Sequence, residues 1–138
     1  ERLDARYRHT VLKVAPRPRR WIVLSATFSL PAGDRDELVG RASSYARWRR
    51  VHQPTGACAG SVFTNPPGTY AGYLIELAGL KGRQVGGVRV SERHANFFIN
   101  TGGATAADVR ALIAMIQDEV YRRFGIEMVP EIEEIGEP

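Results

Sequence analysis

The sequence has one cysteine, three histidines and no long apolar run, and each scarcity removes a class of protein. A lone thiol, Cys58, can form neither an internal disulfide framework nor a multi-cysteine zinc site, and it fits a reducing cytoplasm. No apolar stretch is long enough to span a bilayer. No G-x-G-x-x-G follows a strand-like run, and no metal-ligand spacing is present. Ser61 lacks the G-x-S-x-G surroundings of a nucleophile elbow. His9, His52 and His94 are scattered, and none is placed by spacing to serve Ser61 as a base, so acyl transfer through that serine is poorly supported. The opening Glu1-Arg2-Leu3-Asp4-Ala5-Arg6 is not a signal peptide and has no initiator methionine, so the chain is expected to begin inside a longer protein.

What is present is enough for one domain, or one domain plus a remnant of another, in 138 residues. A hydrophobic fraction of 43% supplies a core. The net charge of +4 is unevenly placed: Arg17, Arg19, Arg20, Arg41, Arg47, Arg49 and Arg50 lie in the first half, and Glu127, Glu131, Glu133, Glu134 and Glu137 crowd the end. A basic half suits a phosphate-bearing partner, nucleotide or nucleic acid.

The chain is organised around Gly60-Ser61-Val62-Phe63-Thr64-Asn65-Pro66-Pro67-Gly68. It places a hydroxyl, a carboxamide and backbone N–H groups on a turn stiffened by two prolines. Glycine beside Ser61 permits close approach of a backbone or ligand. Pro66 pushes Asn65 out of the helical region, so Asn65 ends a short extended run. A purely structural turn and a functional loop are equally compatible with this stretch alone.

Around it, the spacing predicts an α+β fold with a small mixed sheet and packed helices. Ile22, Leu24, Ala26, Phe28 and Leu30 alternate with polar residues, as in a half-buried strand. Asp34 can cap a helix over about 35–50, with a narrow stripe of Leu38, Ala42, Tyr45 and Trp48 and arginines in its last turn. A short helix is expected from Ala71 to Leu80, ended by Gly79 or Gly82. Val85, Val88 and Val90 read as a strand bent at Gly86-Gly87, and 96–100 as a second. Thr105 and Asp108 form a capping box for the clearest helix, whose core stripe is Val109, Leu112, Ile113, Ile116, Val120 and Phe124, with Gly125 as terminator.

Five short motifs then occur in a fixed order. They are Gly-Ser-Val-Phe-Thr-Asn-Pro at 60–66, Ala-Gly-Leu-Lys-Gly at 78–82, Gly-Gly at 86–87, Val-Ser-Glu-Arg-His-Ala-Asn-Phe at 90–97, and Phe-Gly-Ile with Val-Pro-Glu-Ile between 124 and 132. Together they resemble the C-terminal half of the UDP-N-acetylenolpyruvoylglucosamine reductases, flavoenzymes of peptidoglycan synthesis. Tyr7-Arg8-His9-Thr10 resembles a segment near the end of that family's flavin-binding half. The resemblance covers nearly the whole chain.

It implies a reaction in which NADPH reduces FAD and the flavin delivers hydride to the enolpyruvyl group of a UDP-sugar. Arg8 matches the family's cation for the substrate carboxylate, Glu131 the carboxyl group that stabilises the enol-like intermediate, and Ser61 the general acid. Asn65, Lys81 and His94 fall where the family contacts the nucleotide sugar, and Arg49 or Arg50 where it has a basic group before the serine loop. Thr64 and Glu133 depart from the family pattern, each standing where a basic residue is common. The short linker from Asn65 to Ala71 resembles the branch without a long insertion there.

Glycine-rich FAD motifs have no counterpart. The expected organisation is therefore a remnant of the flavin domain over 1–33 and a substrate domain over 34–138. The implied partner is UDP-N-acetylglucosamine enolpyruvate, with no nucleic acid, no membrane insertion and a monomeric cytoplasmic enzyme. A basic α+β module that binds nucleic acid through its arginine-rich helix is the alternative, against which the aromatics do not interleave with the arginines. A catalytically dead sugar-nucleotide sensor is a third reading, opposed by the presence of Arg8, Ser61 and Glu131.

Overall fold

The computed structural model describes residues 4, 6, 9–14 and 22–136. They fall into two compact units, Glu1–Arg35 and Asp36–Pro138. In the first unit, Arg6 and His9 exchange backbone hydrogen bonds at 3.0 and 3.1 Å, and a single helical turn, α1 (Val11–Val14), follows. The expected half-buried strand at 22–30 is not formed. These residues belong to no strand, and Ile22, Leu24, Phe28 and Leu30 are each at least 79% exposed. A strand persists only when a neighbour takes its N–H and C=O groups, and the described residues of this unit supply none.

Helix α2 (Arg35–His52) runs two residues past its expected end and buries no residue. Its expected stripe is exposed, with Leu38 at 48%, Tyr45 at 64% and Trp48 at 57%. The α2 stripe is too narrow and too interrupted by charge to compete for the core. Arg93 ties the end of the helix down by donating to the carbonyls of Arg50 and Gln53.

The core of the second unit lies between α3 (Ala71–Leu77), α4 (Ala106–Phe124) and an antiparallel sheet of β1 (Gln84–Val85), β2 (Val88–Val90) and β3 (Phe98–Asn100). The expected bent strand is in fact two strands, β1 and β2, joined by the two-residue turn Gly86-Gly87. Glycine is required there: a Cβ on Gly87 would stand 2.5 Å from the Ala104 nitrogen and 2.7 Å from the Gly102 carbonyl oxygen. Helix α3 stops earlier than expected. Gly79 adopts φ +73° and donates to Glu76, while Leu80 donates to Ile75, the paired bonds of a left-handed helix cap.

Helix α4 follows its sequence closely. Thr105 and Asp108 form both bonds of the capping box, and Gly125 ends the helix at φ +66°. Leu112, Ile116 and Val120 are fully buried, and Val109, Ile113 and Phe124 pack against the same core. Each buried aliphatic chain contributes about 1.5–3 kcal/mol relative to exposure. This stripe anchors the sheet that carries the loops described next.

Candidate active site

The serine stretch lies between two partners from distant parts of the chain. On one flank Ser61 bridges Phe97, and Val62 donates its N–H to the Asn96 carbonyl at 2.9 Å. On the other flank Phe63 bridges Pro130, with Thr64 N–H bonded to the Val129 carbonyl at 2.9 Å and Glu131 N–H to the Val62 carbonyl at 2.7 Å. Pro130 is tolerated because it sits opposite Phe63 in a pair whose own peptide groups point away from each other. The sheet is thus extended beyond β3, antiparallel throughout rather than mixed. This arrangement puts Glu131 one peptide rung from Ser61.

Phe63 and Val62 are buried at 0% and 2%, so the backbone that carries Ser61 is fixed from below by core packing. Gly60 reaches the serine with φ +84°, in open space: nothing lies within 4 Å of where its Cβ would stand. The glycine answers to the backbone turn, and the open space beside it leaves room for a close approach.

Asn65 ends the run, as expected. Its side-chain oxygen accepts the Ala71 N–H at 3.1 Å, closing the Pro66-Pro67-Gly68 turn onto the first residue of α3. His94 meets the same helix end. A Cβ on Gly72 would stand 3.1 Å from His94 Cε1, and the imidazole packs edge-on against Phe97 with centroids 4.8 Å apart. The Asn96 N–H reaches His94 Nδ1 at 3.3 Å, which leaves Nε2 to carry the proton in the neutral ring. Asn65 and His94 therefore converge on the start of α3, beside the serine strand.

Lys81 stands past the C-terminal end of α3, where its ammonium is paired with Glu76 at 2.7 Å and its side chain is 27% exposed. Arg49, on the last turn of α2, donates to the Gln53 side chain at 3.3 Å. Neither is brought against Ser61 by a contact. Arg8 lies outside the described residues. A cavity of about 390 Å³ opens beside the serine strand, lined by Cys58, Val62, Phe98, Ile132 and the first turn of α4. It is mostly apolar, and none of Ser61, Asn65, Lys81 or His94 lines it. Among the described residues no group of histidines, cysteines or carboxylates could hold a metal ion, and no helix is long and apolar enough to cross a membrane.

Sequence reasoning missed two residues that hold this arrangement. Arg93 docks the end of α2 on the 91–94 turn. Asn96 is 3% exposed and bonds both peptide groups of Phe63 with its side chain. The available signal was a strongly polar carboxamide inside the otherwise apolar run Ala95 to Ile99.

A family model described as UDP-N-acetylenolpyruvoylglucosamine reductase, C-terminal domain, matches residues 52–135. The UDP-N-acetylenolpyruvoylglucosamine reductase 1 of Bacillus anthracis is 47% identical over 135 residues, 97% of this chain and 44% of that protein. The corresponding reductase of Alkalilimnicola ehrlichii is 48% identical over 132 residues, 95% of this chain and 43% of that protein. The crystal structure of a UDP-N-acetylenolpyruvylglucosamine reductase from Thermus caldophilus superposes with a TM-score of 0.61 at 37% identity, covering 72% of this chain and 36% of that one. The chain spans a little under half the length of the curated relatives it matches.

Proposed function

Because the chain belongs to the UDP-N-acetylenolpyruvoylglucosamine reductase family, we propose that it is the substrate-binding part of a cytoplasmic, FAD- and NADPH-dependent reductase that converts UDP-N-acetylglucosamine enolpyruvate to UDP-N-acetylmuramate. The observation that carries this reading is the pairing of the serine strand with residues 129–131, which puts Ser61 beside the strand of Glu131. Reduction of an enolpyruvyl ether leaves charge on the carbon next to its carboxylate. That charge needs a proton donor and a fixed polar neighbourhood on one surface.

In this reading Ser61 gives its proton to that carbon and Glu131 stabilises the enol-like species from the next strand. Arg8 holds the substrate carboxylate. Asn65 and His94, at the start of α3, meet the nucleotide sugar. Lys81 and Arg49 supply positive charge toward the diphosphate, Lys81 by exchanging its Glu76 partner for phosphate oxygen.

The bound flavin supplies the hydride. The glycine pairs 86–87 and 102–103 close on each other's backbone, with a Gly87 Cβ position 2.7 Å from the Gly102 oxygen, so no phosphate enters between them. The flavin is assigned to a part of the protein that precedes this domain, and residues 1–33 to its tail. The exposed apolar side chains at 22–30 support that assignment, since no strand among the described residues pairs with them. A monomer completes the reading. The nucleic-acid alternative has no support in the family relationships.

The test is Ser61→Ala in the complete enzyme, followed by stopped-flow flavin absorbance. Reduction by NADPH should proceed normally, and reoxidation by substrate should slow by about a hundredfold or more, the usual cost of losing a general acid. An unchanged reoxidation rate would remove Ser61 from the mechanism.

A further inference from the structure

Consecutive N–H groups of a regular strand point to opposite sides. Those of Val62 and Phe63 both point to Asn96. Val62 donates to the Asn96 backbone carbonyl at 2.9 Å, and Phe63 donates to its side-chain oxygen at 2.9 Å. Two residues of the serine strand thus oppose one residue of its neighbour, which is the geometry of a β-bulge. The Asn96 side-chain nitrogen then donates to the Phe63 carbonyl at 2.8 Å. The neighbouring chain has by then turned away, its return marked by the bond from Phe97 N–H to the His94 carbonyl at 3.0 Å. One carboxamide therefore stands in for the peptide group that a continuing strand would have offered.

We propose that Asn96 is a positioning residue for the reaction: its carboxamide holds the bulge at Val62-Phe63 and thereby fixes the direction in which Ser61 is presented. The proposal rests on the role given to Ser61 above. The bulge adjoins Ser61 directly, and bulges re-aim the side chains beside them. The position is 3% exposed, so bulk solvent does not compete for its two bonds to Phe63. The chemistry of the site is also restrictive. Phe63 needs an acceptor for its N–H and a donor for its carbonyl from one planar group, which leucine, serine and an ionised aspartate cannot provide.

Asn96→Asp isolates this function. As a carboxylate it loses the donor and faces the Phe63 carbonyl. As a neutral acid it regains both bonds, and burial raises the pH at which it protonates. The ionisable groups on adjoining segments are Glu92, Arg93 and His94 on the preceding turn, Tyr73 and Glu76 on α3, and Glu131 beyond Phe63. A wild-type profile measured in parallel accounts for their own titration. In the full-length flavoenzyme, Asn96→Asp should keep NADPH-driven flavin reduction and slow flavin reoxidation by substrate at least tenfold at about pH 8. Most of that loss should be recovered, relative to wild type, at about pH 5. Hydrogen exchange at the Phe63 amide should accelerate in the same pH-dependent way.

Reoxidation equal to wild type at both pH values, or a loss that does not recover at low pH while the Phe63 amide regains protection, overturns the proposal. Ser61→Ala measured alongside separates the two ideas. If it leaves reoxidation unchanged, the assignment of Ser61 fails; if it slows reoxidation and Asn96→Asp does not, only the positioning role fails. Should Asn96→Asp not fold, Asn96→Gln serves: its longer chain displaces the carboxamide without introducing charge, and it must show the same split between half-reactions.

Discussion

The backbone N–H of Glu131 donates to the carbonyl of Val62 at 2.7 Å, so the glutamate and the serine that precedes Val62 belong to neighbouring strands. If Glu131 stabilises charge on the substrate, Glu131→Gln should leave the fold and NADPH-driven reduction intact. It should slow substrate-driven reoxidation by about a hundredfold. Rapid-mixing absorbance reads this directly, and a Glu131→Gln enzyme with full turnover would end the assignment.

Two glycines should fail for different reasons. Gly87→Ala forces a Cβ to within 2.5 Å of the Ala104 nitrogen, a backbone atom that cannot rotate aside. The expected loss is about 3 kcal/mol, read from the shift in urea midpoint. Gly60→Ala meets nothing within 4 Å but must hold φ +84°, and should cost only about 1–2 kcal/mol. Equal losses at the two positions would contradict the geometry.

Acid should loosen the junction between α4 and the β1–β2 turn. The Asp108 carboxyl is held below the usual carboxylate range, first by the Thr105 N–H, then by the Gly87 N–H and the Thr105 side chain. A depressed value means that folding favours the ionised form. Its stabilisation is complete above the ordinary aspartate value of about 3.9 and disappears as pH falls through the lower folded value. Thermal midpoints of Asp108→Asn should therefore fall less steeply than wild type as pH is lowered below about 4. Parallel profiles would show that this carboxylate contributes nothing to acid lability.

The isolated chain should fold through its Asp36–Pro138 core, remain colourless and turn over no NADPH. It should bind UDP-N-acetylglucosamine weakly, in the millimolar range or about −4 kcal/mol, because the proposed function assigns part of the binding surface to the flavin-binding part while the ordering cost remains. Amide shifts should cluster at Asn65, Lys81 and His94. Stoichiometric flavin on the purified chain, or no response at saturating nucleotide sugar, would contradict this.

What the sequence made legible was local. Thr105, Asp108, the aliphatic stripe and Gly125 specify α4 within a few turns, and the structure follows them. The same local reading joined β1 and β2 into one bent strand, because a Gly-Gly pair fits a bend and a hairpin alike. It also gave α2 a buried stripe and 22–30 a strand, since periodicity records what an element could bury and not whether a partner is within reach. For the site, the motif order marked Ser61, Asn65 and Glu131. The bulge and its carboxamide were hidden, because the bonds to Asn96 cross 33 residues and leave no local pattern.

The link between Thr64 and Val129 closes a span of 65 residues. During synthesis, α3, the hairpin and all of α4 have emerged before residue 129 leaves the ribosome. Until then the serine strand has one neighbour and an open edge, the kind of surface that recruits stray strands. Closing so long a loop is also slow compared with forming a helix. The surface that carries Ser61 is therefore finished last, and a nascent chain halted before Val129 presents a folded hydrophobic core with an adhesive, chemically incomplete flank.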